Sequence, residues 1–184
     1  RLSGALIEGH FKLSSGLHSE AYLQCARVLM NPKHAEKLCK SLADQIRARV
    51  SKPIQLVVSP AMGGVVVGYE MARQLGVQGI FTERVDGELQ LRRGFEIPEG
   101  TRVLMAEDIV TTGLSSRECI ECVEKLGGRV VMASCLVDRS NGKAEIGTEL
   151  CSLLAMDIKT YEPNDLPEHL KNIPAIKPGS RGLK

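Results

Sequence analysis

The stretch Val103-Leu104-Met105-Ala106-Glu107-Asp108-Ile109-Val110-Thr111-Thr112-Gly113-Leu114-Ser115-Ser116 decides how this chain is read. Val103 to Ala106 has the apolar character of a buried strand. Two adjacent carboxylates follow, then a turn rich in Thr, Gly and Ser, then a helix expected from Ser115 to Leu126 and stopped by Gly127-Gly128. Ser115 with Glu118 three residues on has the form of a capping box, which fixes the expected helix start at Ser115. The loop amides and the helix N-terminus then aim donors and a partial positive charge into one pocket, with hydroxyls around it. That is a phosphate cradle. It is neither a Gly-Lys-Ser/Thr loop nor a Gly-x-Gly-x-x-Gly turn, so the common nucleotide-binding fingerprints are excluded.

Outward from this stretch the same alternation recurs. Asn31-Pro32 opens a helix, Asn as cap and Pro in the first turn. Leu38, Leu42, Ile46 and Val50 then mark an apolar face that ends before Pro53. Ile54 to Val58 is a strand, Ser59 to Gly64 a turn, and Val65 to Leu75 a helix closed by Gly76. Val77 to Thr82, Val130 to Val137 and Leu150 to Ile158 are further strands. Strand, loop, helix and strand at this spacing mean crossover units and a mostly parallel α/β sheet flanked by helices. Asp86-Gly87 is a type I′ signal between Glu83-Arg84-Val85 and Glu88 to Arg92, so a hairpin over 83–94 projects from the sheet. The segment from Pro163, with four prolines, is expected to wrap the surface.

Composition narrows the possibilities further. The 184 residues fit a single domain. No apolar run approaches the roughly 18 residues of a membrane span, so no membrane partner is expected. The 24 basic and 22 acidic side chains leave a net charge of +2, too balanced for nucleic acid as the main partner. Three Phe, three Tyr and no Trp supply little for base stacking. The six scattered cysteines suit a reduced, cytoplasmic protein. Cys119-x-x-Cys122 lies inside a helix without a second pair, so it reads as packing, and the six methionines read as core. Arg1 to Gly4 shows no signal peptide, and the chain starts on Arg rather than Met, which leaves room for preceding residues.

Carboxylates beside a phosphate repel it unless the ligand also brings sugar hydroxyls, a divalent cation or a developing positive charge. A phosphorylated ribose reacting through an oxocarbenium-like state brings all three. Glu107 to Ser116 resembles the phosphoribosyl-diphosphate signature of the type I phosphoribosyltransferases, and the nearer match is to the orotate-specific members. Gly9-His10-Phe11-Lys12-Leu13-Ser14-Ser15-Gly16-Leu17-His18-Ser19 resembles their N-terminal Phe-x-Leu-x-Ser-Gly-x-x-Ser motif, which lines the orotate pocket. Ser59 to Gly64 resembles the loop that grips pyrophosphate, and Leu136-Val137-Asp138-Arg139 resembles the strand end whose Arg binds the orotate carboxylate.

The resemblance implies one phosphoribosyltransferase domain over 1–184, with an N-terminal hood over about 1–31. It implies conversion of orotate and phosphoribosyl diphosphate to orotidine 5-phosphate and pyrophosphate, in pyrimidine synthesis. Glu107 and Asp108 would contact the ribose hydroxyls and stabilise charge at the anomeric carbon. Ile109, Val110, Thr111, Thr112, Gly113, Leu114 and Ser115 would complete the ribose-phosphate site, Met62 and Gly63 would meet pyrophosphate, and Thr111 and Arg139 would touch orotate. It also implies Mg2+, held mainly by substrate and water near Asp108 with no direct protein ligand assigned, and a homodimer with shared active sites. Many relatives carry Lys and His in the mobile loop; here only Arg84, Arg92 and Arg93 are present. With Arg84 and Arg93 as the catalytic pair, the loop supplies charge but no general acid. Two other readings share the cradle: a purine-type phosphoribosyltransferase, and a non-catalytic regulator sensing phosphoribosyl diphosphate.

Overall fold

The structure, a computed structural model, describes residues 3–13 and 16–177. In chain order the elements are β1 (Leu6–Lys12), β2 (His18–Leu23), α1 (Ala26–Leu29), α2 (Pro32–Arg49), β3 (Leu56–Pro60), α3 (Gly64–Leu75), β4 (Gln78–Val85), β5 (Glu88–Leu91), β6 (Arg102–Val110), α4 (Leu114–Lys125), β7 (Arg129–Asp138), β8 (Leu150–Ala155), β9 (Thr160–Tyr161) and α5 (Glu168–Lys171). They form two compact units, one from residues 29–156 and one from the described residues before and after that span.

The larger unit carries a six-stranded sheet in the order β5-β4-β3-β6-β7-β8. Every neighbouring pair is parallel except β4 with β5, which closes the hairpin. This is the mostly parallel α/β sheet that the alternation predicts. α2 starts as its sequence dictates: the Asn31 side chain accepts from the Lys33 amide at 3.1 Å, and Pro32 fills the first position. Its Cys39, Leu42, Ala43 and Ile46 are buried without residual exposure. α3 ends where Gly76 takes a φ of 73°, its N–H returning to the last turn. The hairpin turns on Asp86 (φ 51°) and Gly87 (φ 93°), with Val85 facing Glu88, as a type I′ turn requires.

Leu56, Val58, Val103 and Met105 pack with Cys119, Ile120 and Val123 of α4 into one core. The period of two sends Val57 and Leu104, also fully buried, to the opposite face, where α3 crosses β3 and β6. Contact there is close enough to demand glycine. A Cβ on Gly68 of α3 would lie 2.4 Å from Ser59 Oγ, and one on Gly79 would lie 2.8 Å from Ala72 Cβ.

The second unit is a three-stranded sheet, β1-β2-β9. His10 is buried on it, with Nδ1 2.6 Å from the Ile173 carbonyl and Nε2 2.5 Å from His18 Nδ1. A carbonyl only accepts, so His10 donates from Nδ1. Ser14 and Ser15 of the N-terminal motif lie outside the described residues.

Several expectations need correction. β6 does not stop at Ala106 but runs to Val110, because β7 pairs with it as far as Asp138. β8 ends at Ala155, short of Ile158. The C-terminal segment does more than wrap: Leu170 is buried and Ile176 bridges to Phe11. Met71, Met105 and Met132 are core, whereas Met30 and Met62 are about four-fifths exposed, at 80% and 81%. They sit at a helix end and in a loop, beyond the reach of the sheet's two buried faces.

Gly68→Ala forces Ser59 and β3 away from α3. It is expected to cost about 1–3 kcal/mol, the scale of core overpacking, and urea unfolding followed by circular dichroism measures it.

Candidate active site

Chain order reverses at β3: β4 lies on one side of it, reached first, and β6 on the other, reached later. The crevice beyond the carboxyl ends of β3 and β6 is therefore the ligand-binding place of an open α/β sheet. Two loops meet there. The first, after β3, contains Ala61, Met62 and Gly63; the Ala61–Met62 peptide is cis, and the Ala61 amide donates to the Thr82 carbonyl at 2.8 Å. The second, after β6, runs from Thr111 to Gly113 into α4.

Glu107 and Asp108 lie near the carboxyl end of β6, and Gly63 of the first loop and Gly64 at the start of α3 lie directly on them. A Cβ on Gly63 would stand 2.9 Å from Asp108 Oδ1, and one on Gly64 would stand 3.0 Å from Glu107 Oε1. No side chain fits between this backbone and the carboxylates. Glu107 is only 7% exposed, and its Oε1 accepts from the Asp108 amide at 3.3 Å. Burial first, then repulsion from Asp108, pushes the Glu107 carboxyl well above the ordinary carboxylate range. Asp108 is raised as well, by burial. The two titrate as a pair. In this state the site favours the protonated acids, and any ligand bringing positive charge or hydroxyl donors favours the anions.

The turn after the carboxylates begins α4 differently from the capping-box expectation. Gly113, with φ 77°, is the N-cap; no side chain caps the helix, and α4 starts at Leu114. Glu118 does not reach back to its own helix terminus. It accepts instead from Arg84 of β4. The nearest side-chain support is Thr112 Oγ1, 3.4 Å from the Leu114 amide. Thr111, Thr112, Leu114 and Ser115 are exposed, so the amides and hydroxyls of this turn are open to a ligand.

Arg139 follows directly on β7, and its amide donates to the Val110 carbonyl at 2.8 Å, beside the carboxyl end of β6. The hairpin arginines are engaged with carboxylates. Arg93 makes a two-pronged contact with Glu83 at 2.9 and 2.7 Å and lies 5.4 Å from the centre of the Phe81 ring. This pairing holds the Glu83 carboxyl below its ordinary range. Arg84 donates to Glu118 and to the Gly87 carbonyl, while Arg92 is exposed.

Sequence reasoning missed the support under the cradle. Ile146, 2% exposed, packs where a Cβ of Gly113 would be, at 2.6 Å from its Cγ2. Arg117 donates to the Glu145 carbonyl at 2.6 Å. The signal was an isolated Ile among polar residues, too short for any periodicity. The cysteines are all thiols; Cys119 is buried beside Thr82, with its thiol pushed up to about 12.

Residues 28–160 match the family of the phosphoribosyl transferase domain. The orotate phosphoribosyltransferase of Parvibaculum lavamentivorans is 56% identical over 181 residues, covering 98% of this chain and 93% of that protein. The orotate phosphoribosyltransferase of Maricaulis maris is 54% identical over 183 residues, covering 100% and 94%. Among solved structures, the orotate phosphoribosyltransferase of Aeropyrum pernix superposes with a TM-score of 0.65 at 28% identity, covering 84% of this chain and 90% of that one.

The raised carboxyls set a pH dependence of stability. Where unfolded carboxyls are still protonated, below about pH 4, the pair costs nothing. As pH rises the unfolded chain ionises first, and stability falls until the folded pair ionises too. Asp108→Asn removes the share of this penalty due to Asp108 and its repulsion of Glu107, while the burial of Glu107 remains, so its urea midpoint should exceed the parent's by little near pH 4 and by progressively more toward pH 7. A tenfold difference in proton affinity corresponds to about 1.4 kcal/mol.

Proposed function

The chain belongs to the phosphoribosyl transferase family, among its orotate phosphoribosyltransferases, and from that premise we propose the following use of its site. Orotate attacks C1 of phosphoribosyl diphosphate through a ring nitrogen, whose N–H proton is given up to solvent or to the departing pyrophosphate. The C1–oxygen bond breaks, and pyrophosphate leaves with the bonding electrons. The observation that carries this reading is the carboxylate pair Glu107–Asp108, pressed against the Gly63–Gly64 backbone and followed by an open turn of amides and hydroxyls. It offers negative charge where C1 becomes positive and donors where a phosphate must sit.

In this reading the amides and hydroxyls of Thr111 to Ser115 take the 5-phosphate, the commonest ligand of such a helix start. Ile109 and Val110 contribute backbone at the same strand end. Glu107 and Asp108 accept from the ribose hydroxyls and stabilise the oxocarbenium character of the transition state, an electrostatic role in a water-poor site. Met62 and Gly63 line the pyrophosphate side. Arg139 grips the orotate carboxylate with its planar fork. Arg84, Arg92 and Arg93 neutralise the departing pyrophosphate, for which Arg93 must exchange Glu83 and Arg84 must exchange Glu118 for phosphate oxygens.

A divalent cation suits the donor set, because two buried carboxyls that repel one another become favourable anions beside positive charge. Mg2+ would be held mainly by substrate oxygens and water near Asp108, the more open of the two, and would supply charge neutralisation of the diphosphate. Assembly as a cytoplasmic homodimer with shared active sites belongs to the same proposal and rests on the family resemblance.

Consumption of orotate absorbance in the presence of phosphoribosyl diphosphate and magnesium tests the reading, and no consumption by folded protein would refute it. Asp108→Asn should lower kcat about tenfold to a thousandfold, by analogy with the loss of one electrostatic stabiliser. Arg139→Ala should weaken orotate by about 1.5–3 kcal/mol, the value of a charged hydrogen bond, while leaving phosphoribosyl diphosphate nearly unaffected. Isothermal titration of each ligand separates the two.

A further inference from the structure

Between β7 and β8 the chain has no helix; it carries a strap, residues 139–146, built around one acid. Asp138 is 5% exposed, and its carboxylate faces the start of that strap. Oδ1 accepts from the Ser140 amide at 2.7 Å and from the Ser140 hydroxyl at 2.6 Å; Oδ2 accepts from the Gly142 amide at 2.9 Å. The Ser140 hydroxyl in turn accepts from the Ala144 amide at 3.0 Å. Asn141 and Gly142 are both left-handed, φ 54° and 78°, a bend that the hydrogen bonds to the carboxylate stabilise.

The strap touches the end of β6, the loop after it and α4 at three heights. The Arg139 amide bonds the Val110 carbonyl, Ala144 and Ile146 fill the space beside Gly113, and the Glu145 carbonyl accepts from Arg117 in the first turn of α4. Thus one segment carries the orotate-binding arginine at its beginning and presses on the N-cap of the phosphate helix farther along.

We propose that Asp138 is a positioning residue for both substrates: its carboxylate folds the 139–146 strap so that Arg139 meets orotate and Gly113 holds the phosphate turn. The inference rests on the reading of the site given above. An ordinary turn-forming acid acts only on stability. This one acts on affinity, because the strap it shapes contacts both binding elements. Arg139 contributes to one ligand, whereas Asp138 contributes to two through contacts it does not itself make with either.

Asp138→Asn is nearly isosteric but brings an NH2 against an N–H donor or against Ser140, so at least one of the three hydrogen bonds is lost. Ser140→Ala leaves Asp138 in place and removes the link to Ala144. Steady-state kinetics of the full chain, with both substrates varied, reads the outcome. In Asp138→Asn the KM for orotate and the KM for phosphoribosyl diphosphate should both rise, by about tenfold, the loss expected for one charged hydrogen bond, with a smaller change in kcat. Ser140→Ala should raise both by a lesser factor, and Arg139→Ala should raise that of orotate alone. A lowered melting temperature with both KM values unchanged in either variant would overturn the proposal, and so would a rise confined to one substrate. If Asp138→Asn does not fold, Ser140→Ala decides by the same criteria. A parent protein that turns over no orotate would refute the functional reading, and the inference with it, before any variant is compared.

Discussion

Two carboxyl groups lie against a backbone that has no side chains, and most of the larger unit serves that contact. Glu107 and Asp108 are brought to the crevice by β6, and Gly63 and Gly64 are brought to the same place by the end of β3. Neither glycine tolerates a Cβ at its present distance from the acids. The relative height of β3 and β6 sets this contact. The sheet fixes that height: Leu56, Val57 and Val58 pair in register with Val103, Leu104 and Met105, and all are buried on both faces. Rigid neighbours make this possible, since interiors packed to crystal-like density deform little.

Such a site is costly to the empty protein. Burial raises both carboxyls, and repulsion from Asp108 adds to the rise at Glu107, so the fold holds protons there that the unfolded chain would release. Ligand binding relieves this by supplying hydroxyl donors and positive charge where water has been excluded. The hairpin shows the opposite arrangement: Arg84 and Arg93 rest on Glu118 and Glu83, which keep 29% and 22% of their side-chain surface in water, so these pairs are far less buried than the acids of the crevice. Carboxyls in the crevice that ionise when a ligand supplies charge, and cations on the hairpin that can change partner, fit a reaction in which positive charge grows at carbon and negative charge departs.

Much of the architecture was legible in the sequence because its signals are local. Asn31-Pro32 capped a helix, Gly76 ended one, and Asp86-Gly87 turned a hairpin, each by the backbone geometry of the residues themselves. The Thr-Thr-Gly turn after two acids stands where the pattern of strand and helix put it, beyond the carboxyl end of β6. What the sequence hid depends on partners far along the chain. β6 continues through Glu107 and Asp108 because β7 runs alongside it, which no local pattern states. Ser115 and Glu118 match a capping box, yet Glu118 turns to Arg84, 34 positions away, since a guanidinium outcompetes a backbone amide for a carboxylate. Ile146 has no periodic companions, so its place beside Gly113 emerges only from the fold. The roles assigned to Arg84 and Arg93 likewise depend on a change of partner that a sequence cannot show.

The ionisation of the buried pair tests the account most directly. Carbon-13 labelling of the Asp and Glu carboxyls allows Glu107 and Asp108 to be followed by NMR as pH is varied, in the free protein and with phosphoribosyl diphosphate and magnesium bound. The account predicts that both carboxyls titrate above the ordinary carboxylate range when the site is empty and at markedly lower pH when it is filled. Ordinary titration of both groups in the free protein, or no downward displacement on binding, would contradict it.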